Sequence, residues 1–289
     1  MKTILQVAIL MAGISGICAH GAVAQISRLE SAVDSSSSGS IRSLLQKPLR
    51  NGEAYVWYLL HCGYAVKTRT KLLIFDYVRS TRDFPDTISV QSLATGRINP
   101  AEIRDLDVYV FVSHSHEDHY EPVILDWQDQ VENLTHIFGW QATDDTSHYH
   151  FVDPTASLRI GDMDVYTINC RSGVPEVAYL IKTDGLTIFF QGDYKSDSLA
   201  DIDYLLNKCD TVDIAFLGAH TRRWGDAFAH IVRIMERLQP RVVFPMHYGG
   251  KEETYQLFAL ECANLSSVSV VKPPKKPGDL FHYQRGVVP

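Results

Sequence analysis

Three histidines and one aspartate, all able to bind a metal ion, lie within six consecutive positions, from His114 to His119. They follow an apolar run, residues 106–112, which predicts a buried β-strand. Because alternate side chains of a strand project to the same side, His114 and His116 can bind one ion together. Asp118 and His119 lie just past the strand, where a turn can direct them to a second ion, and their N and O atoms suit zinc or iron. The alternative is a solvated polar turn, but ligand-type residues bunched behind one strand favour a metal site.

Two later apolar strands also end in ligand-type residues. Residues 186–190 lead into a Gly-Asp pair at Asp193, and residues 241–245 lead into a Pro-Met-His sequence at His247. Taken singly, an Asp after Gly is more often a turn former and a strand-end His is more often a satisfied polar residue. Their order and spacing behind the first motif favour one shared site.

The His-x-His-x-Asp-His sequence after a hydrophobic strand resembles the signature of the metallo-β-lactamase-fold hydrolases. The resemblance implies an α/β fold, a four-layer αββα sandwich, in which Asp193 bridges two ions and His247 is the last histidine ligand. The implied metal ligands are His114, His116, Asp118, His119, Asp193 and His247. Zinc is the expected metal, as one or two ions, with iron or manganese as alternatives.

Residues 56–66 and 71–77 predict two strands of a hairpin near the start of the domain. They are similar to the opening of the ascorbate-6-phosphate-lactonase-like branch of the same superfamily. His61 and Asp76 are candidates to orient the metal ligands from behind. The alternative for this pair is a polar turn and a strand-end carboxylate.

One expected ligand is missing. The family supplies a further histidine before the strand that here covers residues 177–181, but this chain has none between Asn169 and Glu176. Cys170 could fill the place as a thiolate, although a cysteine in such a position is more often a small buried residue. Arg171 could instead point into the site and bind an anionic substrate group. The sequence leaves these alternatives open.

The resemblance also implies a reaction. One or two metal ions would activate a water molecule and polarise a carbonyl or phosphoryl oxygen. Asp118 is the catalytic candidate, either as a ligand of the second ion or as the group that delivers or accepts a proton. Tyr248 and His220 are candidate contacts for the substrate or an oxyanion.

Three functions compete. The first is metal-dependent hydrolysis of a small ester, lactone or phosphorylated molecule. The second is a phosphodiesterase or nuclease of the same fold, which would need a basic groove or a clamping segment that the sequence does not contain. The third is a non-catalytic metal-binding domain that has lost its first metal position. β-Lactamase activity is the least favoured, because a fold does not fix its substrate.

The first residues of the chain predict export. Residues 1–24 carry Lys2, an apolar stretch and a small-x-small cleavage site, as in a signal peptide. We therefore expect a secreted or periplasmic protein without a stable membrane anchor. Residues 25–53, which include a serine-rich run, predict a flexible lead-in, and residues 54–289 predict one hydrolase domain.

Charge, cysteine content and the order of predicted elements indicate what kind of partner and what fold class to expect. The formal charge of −7 argues against a nucleic-acid partner and leaves a small-molecule substrate. Four cysteines remain after signal cleavage. This number is low for a chain of this size, and their spacing matches no disulfide scaffold. The sequence does not indicate the oligomeric state. Strands alternate with helices at 226–238, with Asp226 as N-cap, and at 251–263, which predicts an α/β class. The predicted strands after the hairpin are 107–112, 163–168, 177–183, 186–190, 212–217, 241–245 and 268–271.

Overall fold

Two seven-stranded sheets form the centre of the molecule. The computed structural model describes residues 41–141, 149–170, 173–195, 198–219, 228–264 and 270–287. The first sheet has the order β14-β1-β2-β3-β4-β5-β6, and the second has the order β13-β12-β11-β10-β9-β8-β7. The strands are β1 (Glu53–Leu60), β2 (Gly63–Lys67), β3 (Lys71–Phe75), β4 (Asp107–Val112), β5 (Asn133–Phe138), β6 (Tyr149–Phe151), β7 (Ser157–Ile160), β8 (Met163–Asn169), β9 (Val177–Thr183), β10 (Leu186–Phe190), β11 (Ile214–Gly218), β12 (Val242–Met246), β13 (Val270–Val271) and β14 (Leu280–Gln284).

Helices cover the outer face of each sheet. They are α1 (41–46), α2 (Pro100–Ile103), α3 (Ala200–Leu206), α4 (Ala229–Leu238) and α5 (Glu253–Asn264), with 3-10 turns at Leu93–Thr95 and Pro122–Trp127. Apolar side chains from both sheets meet in the larger core, where the rings of Phe75 and Phe190 stack with centroids 4.9 Å apart. A second core lies on the other face of the first sheet, between Trp57 and residues such as Ile103 and Trp127. The predicted αββα sandwich is confirmed.

Most predicted elements after the hairpin are present, several with the predicted bounds. Strands β4, β9 and β10 match 107–112, 177–183 and 186–190, and α5 matches the predicted helix at 251–263 to within two residues at each end. Helix α4 begins later than predicted, at Ala229, because Phe228 has a positive φ of 64°. Its proposed N-cap, Asp226, lies outside the described residues.

Two expectations near the start of the domain need correction. Residues 56–66 are not one strand: they contain β1 and β2, joined by a tight turn at His61, whose φ is +56°. The lead-in predicted for residues 25–53 does not extend to 53, because Ile41, Leu45 and Leu49 are buried in the second core. The predicted signal peptide, residues 1–24, lies outside the described residues. In the described part of the chain, no helix is both long and apolar enough to span a membrane.

The cysteines of the described ranges, Cys62, Cys170, Cys209 and Cys262, form no disulfides.

Candidate metal centre

The site residues lie where strands of both sheets end. Strand β4 runs parallel to β3, and β10, β11 and β12 run parallel to one another. The carboxyl ends of parallel strands meet at the same edge of a sheet, so side chains that follow such strands are brought together. Asp76 follows β3, His114 follows β4, Asp193 follows β10 and His247 follows β12.

Asp76 and Ser113 form a buried support beneath the histidines. Oδ1 of Asp76 accepts a 2.7 Å hydrogen bond from the backbone N–H of Ser113, and Oδ2 accepts a 2.7 Å bond from its hydroxyl. Oδ2 also lies 2.6 Å from Nδ1 of His119. His119 therefore donates its Nδ1 proton to Asp76, which leaves Nε2 as the atom that can bind a metal ion.

His114 is fixed in the same tautomer. Its Nδ1 lies 2.9 Å from Oγ of Ser113 and 3.3 Å from Oε1 of Glu176, both of which can accept its proton. Burial lowers the pKa of His114 to about 3, so the ring is neutral near neutral pH. Its Nε2 lies 2.8 Å from Nδ1 of His116, and two ring nitrogens this close share either a proton or an ion.

Asp193 has one oxygen between two further histidines. Its Oδ1 lies 2.9 Å from Nε2 of His247 and 3.4 Å from Nε2 of His119. This buried oxygen accepts no well-aligned hydrogen bond within the described ranges. Burial opposes ionisation of Asp193, but the two rings hold its pKa well below the usual range. An anionic oxygen facing two imidazole nitrogens is a donor set that fits zinc, iron or manganese.

His119 is shared by the two groups of ligand-type atoms found in the described residues. Atoms of His114, His119 and Asp193 lie within 4.8 Å of one another, as do those of His61, Cys62, His119 and His247. Burial opposes a charge on His119, but its acidic neighbours raise its pKa well above the usual value. An ion bound at Nε2 would therefore replace a proton there.

His61 belongs to the second group but has the wrong tautomer for a ligand. Its Nδ1 accepts a 3.1 Å hydrogen bond from the backbone N–H of Gly249, so the neutral ring carries its proton on Nε2. Burial lowers the pKa of His61 to about 4, which keeps the ring neutral. That Nε2 lies 3.5 Å from Oδ2 of Asp118. His61 is placed to orient Asp118 or to donate a proton to an oxygen in the site.

Asp118 lies at the edge of the group, with 39% of its side chain exposed. Burial opposes its ionisation, but His61 and the neighbouring rings keep its pKa below the usual range. Asp118 is outside both groups of closely spaced ligand atoms in the described part of the chain. This position suits contact with solvent and substrate better than it suits permanent metal ligation.

Cys170 does not replace the missing histidine. Burial, followed by the neighbouring Glu176, raises the pKa of its thiol well above the usual value, and its Sγ faces the carbonyl oxygen of Gln191 at 3.7 Å. It is packed in the larger core. Cys170 also lies outside both groups of closely spaced ligand atoms in the described residues, which favours the interpretation as a small buried residue over that of a thiolate ligand.

Sequence reasoning missed two charged residues at the site. Glu176 is fully buried, and its Oε1 accepts a 2.6 Å hydrogen bond from the backbone N–H of Asp193 besides facing His114. Lys195 places Nζ 2.8 Å from Oδ2 of Asp193. The available signals were the position of Glu176 directly before a buried strand and the position of Lys195 two residues after the Gly-Asp pair.

The three candidate substrate contacts have different outcomes. Arg171 and His220 lie outside the described residues. Tyr248 is half-buried and packs against the larger core, and its backbone N–H donates a 2.8 Å hydrogen bond to Oη of Tyr255.

Several known proteins resemble this chain. A UPF0173 protein of Pyrococcus abyssi is 24% identical over 200 residues, which cover 67% of this chain and 82% of that protein. Igni18, a metallo hydrolase from Ignicoccus hospitalis, has a TM-score of 0.58 at 13% identity, covering 80% of this chain and 99% of its own. CmlA, a diiron β-hydroxylase from Streptomyces venezuelae, has a TM-score of 0.58 at 14% identity, covering 82% of this chain but 55% of CmlA. At these identities the structural matches establish the fold alone.

The family match covers most of the folded chain. The family described as "Beta-lactamase superfamily domain" matches residues 55–247, from the strand before the His61 turn to the last candidate histidine ligand. This span contains the support formed by Asp76 and Ser113 and the convergent atoms of His119, Asp193 and His247. The chain therefore belongs to this family, the β-lactamase superfamily domain.

Proposed function

We propose that this protein is a metal-dependent hydrolase of a small ester, lactone or phosphorylated molecule. The observation that carries the proposal is the shared orientation of two buried histidines. Asp76 and Ser113 hold His114 and His119 with Nδ1 as the donor, so that Nε2 of each ring is directed at ligand-type partners. A fully buried support of this kind is costly unless the rings it orients have a partner.

His119, His247 and Oδ1 of Asp193 would hold the ion, with His114 and His116 beside them. When bound, a transition-metal ion would activate water and polarise the oxygen of the bond to be cleaved. Asp118 is exposed enough to meet the substrate, and its carboxylate can accept a proton from the attacking water and deliver it to the leaving group. The Nε2–H of His61 can orient that carboxylate.

The charge of the chain supports a small substrate. A formal charge of −7 does not favour a nucleic-acid strand, whose binding requires neutralised phosphates. The similarity of residues 56–66 and 71–77 to the ascorbate-6-phosphate-lactonase-like branch supports a lactone or a phosphorylated molecule. The positions of His61 and Asp76 beside the histidines add to that support.

The test is a substrate panel with a matched variant. We expect the zinc-loaded protein to hydrolyse at least one member of a panel of esters, lactones, phosphomonoesters, phosphodiesters and β-lactams near neutral pH. Asp118→Asn should reduce turnover by about 10²-fold or more, as expected for lost acid–base help. Asp126→Asn, an exposed aspartate on the 3-10 turn Pro122–Trp127, is the control and should retain full activity. If no substrate is hydrolysed faster than by Asp118→Asn, the enzyme proposal is wrong and a metal-binding domain is the better account.

A further inference from the structure

The two oxygens of Asp193 have different kinds of partner. Oδ1 faces the ring nitrogens of His119 and His247, whereas Oδ2 lies 2.8 Å from Nζ of Lys195. The lysine is not a mobile surface residue, since only 14% of its side chain is exposed. A lysine ammonium is a compact positive charge that donates hydrogen bonds but has no lone pair for a metal ion. Oδ2 is therefore satisfied by a cation of the chain itself.

The ligands for a second ion near Oδ2 are incomplete. The sequence has no histidine from Asn169 to Glu176, and Cys170 is a buried thiol that faces a backbone carbonyl. The carboxylate of Glu176 already accepts from the backbone N–H of Asp193 and from His114. Within the described ranges, the remaining nitrogen donors are His114, which belongs to a group of closely spaced ligand atoms with Asp193, and His116 beside it.

From these two observations we propose that Lys195 takes the place of one metal ion, so that the site holds a single transition-metal ion. That ion is bound by His119, His247 and Oδ1 of Asp193, and Nζ of Lys195 neutralises Oδ2. This inference rests on the metal site of the proposed function. A dication beside the ammonium would be repelled by it, and little water separates charges this deeply placed, so screening is weak.

The inference predicts metal stoichiometry. The purified full-length protein is saturated with Zn²⁺, excess ion is removed by gel filtration, and bound zinc per chain is measured by elemental analysis and by native mass spectrometry. We expect one ion per chain in the wild type. Lys195→Met keeps the length of the side chain and removes its charge, and it should take up a second, more weakly held ion. Lys195→Arg keeps the charge and should remain at one ion.

Two further variants identify where the second ion binds. In the Lys195→Met background, His116→Ala should remove only the second ion, whereas the same change in the wild type should leave one ion bound. Lys182→Met, a half-buried lysine on β9 whose Nζ bonds to the carbonyl of Lys208, is the matched control and should remain at one ion. Circular dichroism of each variant establishes that it is folded.

The outcomes distinguish this inference from the proposed function. Two ions in the wild type, or one ion in folded Lys195→Met, would overturn the role of Lys195 and leave the hydrolase proposal standing. No bound ion in the wild type would overturn the metal site itself.

Discussion

Oδ2 of Asp76 lies 2.6 Å from Nδ1 of His119, and both side chains are fully buried. The carboxylate determines which ring nitrogen carries the proton and holds the ring plane in place. Asp76→Asn presents an amide that cannot accept from Ser113 and His119 in the same way. We expect the affinity for zinc to fall by about 10–100-fold, the usual cost of losing a group that orients a metal ligand. Competition titration with a chromophoric chelator measures it.

The control for Asp76→Asn is Asp86→Asn, whose carboxylate pairs with Arg97 and belongs to neither group of closely spaced ligand atoms in the described residues. It should bind zinc as the wild type does. If a folded Asp76→Asn protein bound zinc as tightly as the wild type, the carboxylate of Asp76 would not be needed to orient His119 for metal binding.

His61 is expected to affect turnover without affecting metal content. Its Nδ1 accepts from the N–H of Gly249, so its Nε2 carries the ring proton, 3.5 Å from Oδ2 of Asp118. His61→Gln should retain one zinc ion per chain and lower kcat, because Asp118 loses the group that orients it. His119→Gln is the comparison and should lose the ion. Loss of zinc from His61→Gln would show that His61 is a ligand and that the assigned tautomer is wrong.

The strands could be predicted, and the candidate metal ligands could be singled out, because their signals are local. An apolar run that ends in His-x-His or Gly-Asp can be recognised from consecutive residues of the sequence. Strands β4 and β10 have the predicted bounds. The turn at His61 is only an alternative at the level of the sequence, because Leu60-His61-Cys62-Gly63 contains only one turn-forming residue and apolar residues flank it on both sides. The structure satisfies its backbone partly through distant groups, such as the hydroxyl of Tyr255, which donates a 3.2 Å hydrogen bond to the carbonyl oxygen of His61.

The supporting residues of the site were harder to predict for the same reason. Ser113 precedes the first histidine, but its function depends on Asp76, which lies 37 positions earlier in the sequence. Glu176 meets His114 only because the two sheets face each other. Contacts of this kind are fixed by the packing of the sandwich, which no local pattern encodes.

Gly139 is expected to be required for the position of the site. A Cβ at this residue would lie 2.1 Å from the carbonyl oxygen of Ser113 and 2.8 Å from Cγ2 of Val177. Gly139→Ala should therefore displace the segment that holds Asp76 and lower the free energy of unfolding by about 1–3 kcal/mol, as for other overpacked sites. We also expect weaker zinc binding. Urea denaturation and chelator competition measure the two effects, with the exposed Ser157→Ala as control. If Gly139→Ala changed neither the free energy of unfolding nor the affinity for zinc, the close packing of Gly139 against Ser113 and Val177 would be contradicted.

His136 is expected to make stability depend on pH. It is fully buried on β5, its Nε2 lies 3.1 Å from the carbonyl oxygen of Ile124, and its Nδ1 has no hydrogen-bond partner in the described ranges. Burial lowers the pKa of this ring below its usual value, so the folded protein holds it neutral. In the unfolded chain the ring has a pKa of about 6.5. Below that pH the unfolded state binds a proton that the folded state does not, and stability is lost as the pH falls.

The variant that isolates this effect is His136→Gln, whose amide can still donate to Ile124 but does not titrate. Urea unfolding of the metal-free protein is measured at pH 7.5 and at pH 5.5. We expect the wild type to lose more stability than His136→Gln over this interval, because only the wild type has this ring to protonate in the unfolded state. Other buried histidines titrate in both proteins and cancel in the comparison. His150→Gln, an exposed histidine on β6, should follow the wild type. Equal losses in the wild type and in His136→Gln would mean that the buried ring accepts a proton as readily as the unfolded one.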